Sequence, residues 1–267
     1  MTRAPTSRAE ASVLVERDEE VLVSLALHRF LTLSQIRRLH FPELSDRVGR
    51  RSLGRLRDRD LAAKARVSAP GHRNVWYATA RGRATAGVPR SADATLAVGG
   101  AKLAHTLATN EFCVALAAQA AGRGDRFSAR HWANEVVHRI PRSGVLIPDA
   151  VLAYEMGDGR QAFRFLEMDL GTMPVATVQT KFLRYAQYLA SGAWRQEYLV
   201  FPKLAVVLSG RAQRDRLRRL LRLAALVRGD AGDLEIQLAA GDDVATEGPL
   251  SPVWHWAGGG EVRGFLA

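Results

Sequence analysis

The stretch Ile147–Thr172, IPDAVLAYEMGDGRQAFRFLEMDLGT, decides how the second half of the chain is read. Two apolar runs, Val151–Tyr154 and Ala162–Leu166, flank a Gly157-Asp158-Gly159 turn, the pattern of a β-hairpin. Asp149 precedes the first strand, and Glu167 and Asp169 close the second, one residue apart. Side chains alternate along a strand, so Glu167 and Asp169 share a face. In an antiparallel pair the start of one strand meets the end of the other. The spacing therefore predicts that the three carboxylates converge, and oxygen ligands of this kind suit Mg²⁺ or Mn²⁺. The alternative is that Glu167 and Asp169 are strand-end acids paired with Arg164 or Arg184.

Working outward, Lys102–Ala121 carries a helical apolar period. HWANEVVHRI (131–140), VLIPDAVLAYEM (145–156) and QAFRFLEMDLG (161–171) read as strands. PVATVQTKFLRYAQYLAS (174–191) reads as a helix and EYLVFPKLAVVLS (197–209) as a central strand. RAQRDRLRRLLRLAALV (211–227) is an amphipathic helix and EIQLAA (235–240) a last strand. Together they predict a mixed α/β layer arrangement. Lys181 and Tyr185 are four residues apart and share a helix face. A lysine beside a metal orients water and stabilises charge on a phosphoryl oxygen; the plainer alternative is an ordinary helix surface. His105 and Glu111 lie on the helix near the expected site, His105 as a surface or satisfied core residue, and Glu135 is a further carboxylate candidate. Trp254 and Trp256 read as packing residues.

The first hundred residues have a different character. Glu16–Phe30 places Val21, Leu22, Leu25 and Leu27 on a helical pattern. Thr32 or Ser34 caps a second short helix burying Ile36 and Leu39, and Ser45 caps a third. On that third helix Val48, Ser52, Leu53 and Leu56 share one face, with Arg47, Arg50, Arg51 and Gly54 on the other. Two strands, LAAKARV and NVWYAT, follow around the turn SAPGHR, and then a helix from Thr79. Three helices and a hairpin are the order of a winged helix-turn-helix. The third helix, with Arg47, Arg50, Arg51, Arg55 and Arg57, would enter the major groove of double-stranded DNA, and a wing with His72 and Arg73 would touch phosphate. A three-helix bundle with a solvated arginine face is the alternative. The Gly-, Pro- and Ala-rich stretch GVPRSADATLAVGG places a domain boundary near residue 95, giving units 1–95 and 96–267.

Charge agrees with a polyanion partner. Of the net +11, residues 1–100 hold +8, with 18 Lys and Arg against 10 Asp and Glu. An arginine- and alanine-rich genome bias is the bland alternative. A single cysteine, Cys113, excludes a disulfide frame and a thiolate zinc site. No apolar run approaches the roughly 20 residues that span a bilayer, and the N-terminus lacks an apolar signal core, so a cytoplasmic protein without membrane contact is expected.

At the hairpin the chain resembles the PD-(D/E)xK, restriction-endonuclease-like nucleases. IPD matches the first motif, with Asp149 as metal ligand, and LEMD matches the second in part, with Glu167 as the second ligand. Asp169 stands where that motif has lysine, and Lys181 is in the place of a lysine migrated to the neighbouring helix. The Lys181–Tyr185 spacing is similar to the QxxxY helix motif of RecB-like nucleases. Over most of the chain, a winged-helix pattern followed by LAHTLATNEF, PDA, LEMDLGT and KFLRYAQYL resembles the replication-relaxation family of plasmids and mobile elements. The resemblance implies replication, relaxation or mobilisation, with replication or mobilisation proteins and a second copy of the chain as partners. It leaves two alternatives: a Mg²⁺- or Mn²⁺-dependent nuclease using Asp149, Glu167, Asp169, Lys181 and Tyr185, or a DNA-binding regulator whose nuclease-like fold is a scaffold. A metal between Asp149 and Glu167 would mark the first, and a salt bridge filling that space the second.

Overall fold

The computed structural model describes residues 14–69, 72–88, 100–231, 234–259 and 261–267, with the backbone alone described at 68, 69, 72, 73, 100, 101, 230 and 231. The boundary expected near residue 95 lies outside the described residues.

The N-terminal part is α1 (Glu16–His28), α2 (Leu33–His40), α3 (Asp46–Asp58), β1 (Ala62–Ala69), β2 (His72–Ala78) and α4 (Ala80–Thr85). Thr32 and Gln35 form a reciprocal capping box that starts α2. Ser45 precedes α3 but makes no side-chain cap bond. Val21, Leu22, Leu25, Ile36, Leu53 and Leu56 close a core between the three helices. The hairpin strands run further into the expected turn, because Ala69 still pairs with His72 across an irregular register. Thr79 caps α4 through the amide of Gly82. A side chain at Gly82 would overlap the Leu61 carbonyl oxygen, so α4 seats directly on backbone.

The long helix α5 (Gly100–Arg123) carries this part. The turn after α1 leaves the His28 and Phe30 carbonyls without helical partners, and buried polar groups need them. The Asn110 amide donates to both, at 3.1 and 2.8 Å, and its oxygen accepts from Asn134 at 2.8 Å. Gln35 donates to the Leu107 carbonyl and to Glu111, which also pairs with Arg38. Glu135 pairs with Arg29. His28 is buried, stacks on Trp132 and lies 2.8 Å from the Ala129 carbonyl; burial holds its imidazole down at about 3, hence neutral.

Beyond α5 come β3 (Trp132–Asn134), β4 (His138–Ile140), β5 (Gly144–Leu146), β6 (Ala150–Glu155), β7 (Gln161–Asp169), α6 (Val175–Ser191), a short 3-10 turn (Ala193–Gln196), β8 (Lys203–Leu208), α7 (Gln213–Ala231), β9 (Ile236–Ala240), α8 (Gly241–Glu247), β10 (Trp254–Trp256) and β11 (Val262–Arg263). The central sheet is mixed, in the order β11-β10-β9-β8-β7-β6-β3, with β7, β8 and β9 parallel and the other neighbours antiparallel. One face packs on α5 through Phe112, Leu116, Leu152, Leu166 and Met168. The other packs on α6 and α7 through Phe165, Phe182, Tyr185, Val206 and Leu220. Cys113 is fully buried.

Several expected strands are corrected. HWANEVVHRI breaks at Glu135, whose φ of 53° leaves extended space, and its second piece, β4, pairs with β5. VLIPDAVLAYEM is likewise two strands, because Pro148 has no N–H to donate to a ladder. EYLVFPKLAVVLS contributes only β8, after Pro202, although β8 is central as expected. β9 is not the last strand, since the Trp254 segment adds β10. Trp254 is in the core.

Candidate functional site

Asp149 sits between β5 and β6. Its N–H donates to the Leu166 carbonyl at 3.1 Å and its carbonyl accepts from Glu135 at 3.2 Å. These bonds fix it beside the end of β7, where the Met168 amide donates to Asp149 Oδ2 at 2.7 Å. Glu167 points to the α6 face of the same strand. The Tyr185 hydroxyl donates to its Oε1 and the Lys181 ammonium to its Oε2. Lys181 Nζ is also 3.6 Å from Asp149 Oδ1. From α5, His105 Nε2 lies 2.7 Å from Asp149 Oδ2 and, facing a carboxylate that only accepts, donates to it. The structure thus brings Asp149, Glu167, Lys181 and Tyr185 together and adds His105. Helical spacing alone gives no signal for His105, because α5 meets the hairpin only through the sheet packing.

Two carboxylates here face one ammonium. Burial pushes the Asp149 carboxyl up, but the His105 hydrogen bond and the Lys181 charge outweigh it and hold it at about 2. Burial, reinforced by the negative charge of Asp149, holds Glu167 well above the ordinary carboxylate range. Burial favours a neutral Lys181 amine, yet Glu167 and Asp149 win and raise it. Burial and Glu167 keep Tyr185 a hydroxyl.

Asp169 shares the face of Glu167 but is committed elsewhere. It accepts from Arg216 of α7 through two guanidinium nitrogens, Nε and Nη2, and from the Gly171 amide at 2.9 Å. Arg216 also donates to the Met173 carbonyl at 2.7 Å. The convergence of three carboxylates is therefore replaced by a pair, and Asp169 instead anchors the loop after β7. Arg164 and Arg184 do not pair with these acids; they donate to the carbonyls of Phe265 and Val145. Glu135 and Glu111 serve the packing of the N-terminal part.

Among the described residues no group of three or more His, Cys, Asp or Glu side chains is placed to hold a metal. Mg²⁺ needs only one or two carboxylates when waters and substrate phosphates complete its shell. Asp149 and Glu167 supply that donor chemistry, and a divalent ion would favour the ionised form of Glu167 that burial and Asp149 disfavour. As the protein stands, Lys181 bridges the two carboxylates and fills the space between them.

On α3, the face expected to be buried is buried, with Ser52, Leu53 and Leu56 inside. Arg47, Arg50, Arg51 and Arg57 are exposed. Arg50 pairs with Asp46 and Arg57 with Asp58, whereas Arg47 and Arg51 have no acidic partner among the described residues. Arg55 turns back to Asp18 of α1. A side chain at Gly54 would meet nothing within 4 Å, so the helix surface is open there. His72 and Arg73 begin β2, but their side chains lie outside the described residues.

Fold and site define a mixed α/β protein in which a lysine-bridged carboxylate pair on the central sheet accompanies a helical, arginine-faced N-terminal part. The family model described as replication-relaxation matches residues 22–204, well over half of the chain, and the chain belongs to that family. Membership points to a role in replication or relaxation. No curated protein and no solved structure matches the chain. No helix among the described residues is long and apolar enough to cross a membrane.

Proposed function

We propose that this chain is a DNA-binding protein serving the replication, relaxation or mobilisation of a plasmid or other mobile element. The part up to about residue 95 acts as a winged helix, with α3 in the major groove and the β1–β2 hairpin against phosphate, and the rest is a restriction-endonuclease-like domain. The observation that carries this is the pair Arg47 and Arg51, exposed and without acidic partners among the described residues, on a helix whose opposite face is buried. Each phosphate contact contributes about 0.9 to the slope of log affinity against log salt. Arg47→Ala with Arg51→Ala should therefore lower the slope by about 2. An unchanged slope removes α3 from the interface.

The convergence of Asp149 and Glu167 beside Lys181 favours a second reading, Mg²⁺- or Mn²⁺-dependent cleavage of DNA. When bound, the metal would supply Lewis acidity and an activated water. Asp149 and Glu167 would hold it, Lys181 would turn its ammonium to a phosphoryl oxygen, and Tyr185 and His105 would keep the two carboxylates oriented. Nicking of supercoiled plasmid with metal and with chelator tests it. Asp149→Ala and Glu167→Ala should each abolish cutting. DNA binding without metal-dependent cutting leaves the α/β domain as a scaffold closed by the Lys181 bridge.

A further inference from the structure

We infer that α7 and the cleft at its start form a second binding surface for the DNA phosphate backbone, separate from α3. The inference rests on the DNA-binding function proposed above and extends it to the α/β domain.

The cleft, about 310 Å³, lies where the loop after β7 meets the loop after β8, and Leu170, Gly171, Ser209, Arg211, Arg216 and Arg219 line it. Its floor is preset. Arg216 is held by Asp169 and by the Met173 carbonyl, and Ser209 donates to the Asp169 carbonyl at 2.8 Å. Gly171 and Gly210 take φ of 75° and 98°, and a Cβ on Gly171 would stand 3.1 Å from the Ser209 carbonyl oxygen, so the two loops touch backbone to backbone. Asp215 also borders the cleft, with its carboxylate paired to Arg218 at 3.0 Å.

Arg211, Arg219 and Arg222 are exposed and have no acidic partner among the described residues. Arg211 stands in the turn before α7, and from Gln213 to Arg222 the helix advances about 14 Å; the phosphates of one DNA strand recur about every 3.4 Å of axis, so the arginines meet several of them. A membrane surface is the other polyanion a basic helix can meet, but it requires a free apolar face. The apolar face of α7, Leu217, Leu220, Ala224 and Val227, is in the core. The cleft opens at Leu170, the residue that follows the end of β7, three positions beyond Glu167. Asp169, which would repel phosphate at that position, is neutralised by Arg216.

The test uses the full chain and a labelled duplex long enough to reach both helices, titrated with salt. Arg211→Ala, Arg219→Ala and Arg222→Ala together should lower the slope by about 2 to 3, and the same three positions as lysine should restore it, because a point charge suffices for phosphate. Adding Arg47→Ala and Arg51→Ala should lower the slope further. An unchanged slope in the α7 variant, with a lowered slope in the α3 variant, overturns the second surface and leaves the DNA-binding function standing. No salt-dependent binding by the unaltered chain overturns both.

Discussion

Arg55 is the arginine of α3 whose role the structure changes most, and its replacement separates structural from DNA-contacting arginines. Asp18 on α1 is 2% exposed. Its carboxylate accepts from Ser52 Oγ, Arg55 Nε and Arg55 Nη2, each at 2.6 Å, and so ties α1 to α3. Burial raises the Asp18 pKa, but the Arg55 and Ser52 hydrogen bonds and the Arg55 charge outweigh it and lower it overall. Arg55→Ala leaves a buried carboxylate with one neutral donor. Breaking a fully buried pair costs about 3–5 kcal/mol; the Arg55 side chain is 44% exposed, so solvent screening reduces this to about 2–3 kcal/mol. Asp18→Ala should cost less, about 1–2 kcal/mol, because Arg55 returns to water and only Ser52 loses its acceptor. The double variant should cost less than the sum, by about 1 kcal/mol or more. A depressed carboxyl pKa contributes stability that is present above the unfolded value of 3.8 and lost as pH falls through the folded one. The penalty of Arg55→Ala should therefore shrink in acid. Urea denaturation measures the stabilities and a salt titration the DNA binding. If Arg55→Ala left the denaturation midpoint unchanged but lowered the salt slope as much as Arg47→Ala, the assignment of Arg55 to Asp18 would be refuted.

The Glu167 carboxyl is raised in the fold, so its contribution is full below about 4.5 and is lost as pH rises through the folded value. Above 4.5 stability should fall by up to about 1.4 kcal/mol per pH unit until the folded value is passed, and Glu167→Gln should flatten that fall in denaturation measured across a pH series. If the protein cleaves DNA, Lys181→Ala should slow cutting about a hundredfold to a thousandfold while Mn²⁺ binding, followed by calorimetry, persists. Gly82→Ala should destabilise by about 3 kcal/mol or more, as the new methyl meets the Leu61 carbonyl; an unchanged melting temperature would show that α4 can move away. Asn110→Ala leaves the buried Phe30 carbonyl without a donor, takes one of two from the His28 carbonyl, and should cost about 2–3 kcal/mol, with faster proteolysis after α1 as the readout.

Local rules carried much of the architecture. The Gly157–Gly159 turn between two alternating apolar runs specifies the β6–β7 hairpin, and its antiparallel pairing of Ala150 with Leu166 brings Asp149 beside Glu167. Lys181 and Tyr185, one helical turn apart on α6, meet that pair because the helix must bury Val178, Phe182 and Tyr185 against the sheet. Thr32 and Thr79 mark helix starts because capping chemistry is local to a few residues, whereas Ser45 holds the cap position without a cap bond. Period and spacing say nothing of partners that arrive from distant segments. His105 reaches Asp149 from another layer, Arg55 is drawn to Asp18, and Asp169 is taken by Arg216, 47 residues on. Those pairings depend on how β7 and β8 run parallel and where α5 and α7 pack on opposite faces of the sheet. A buried charge takes the nearest opposite charge in space, and nearness in space is settled by the packing of the whole sheet.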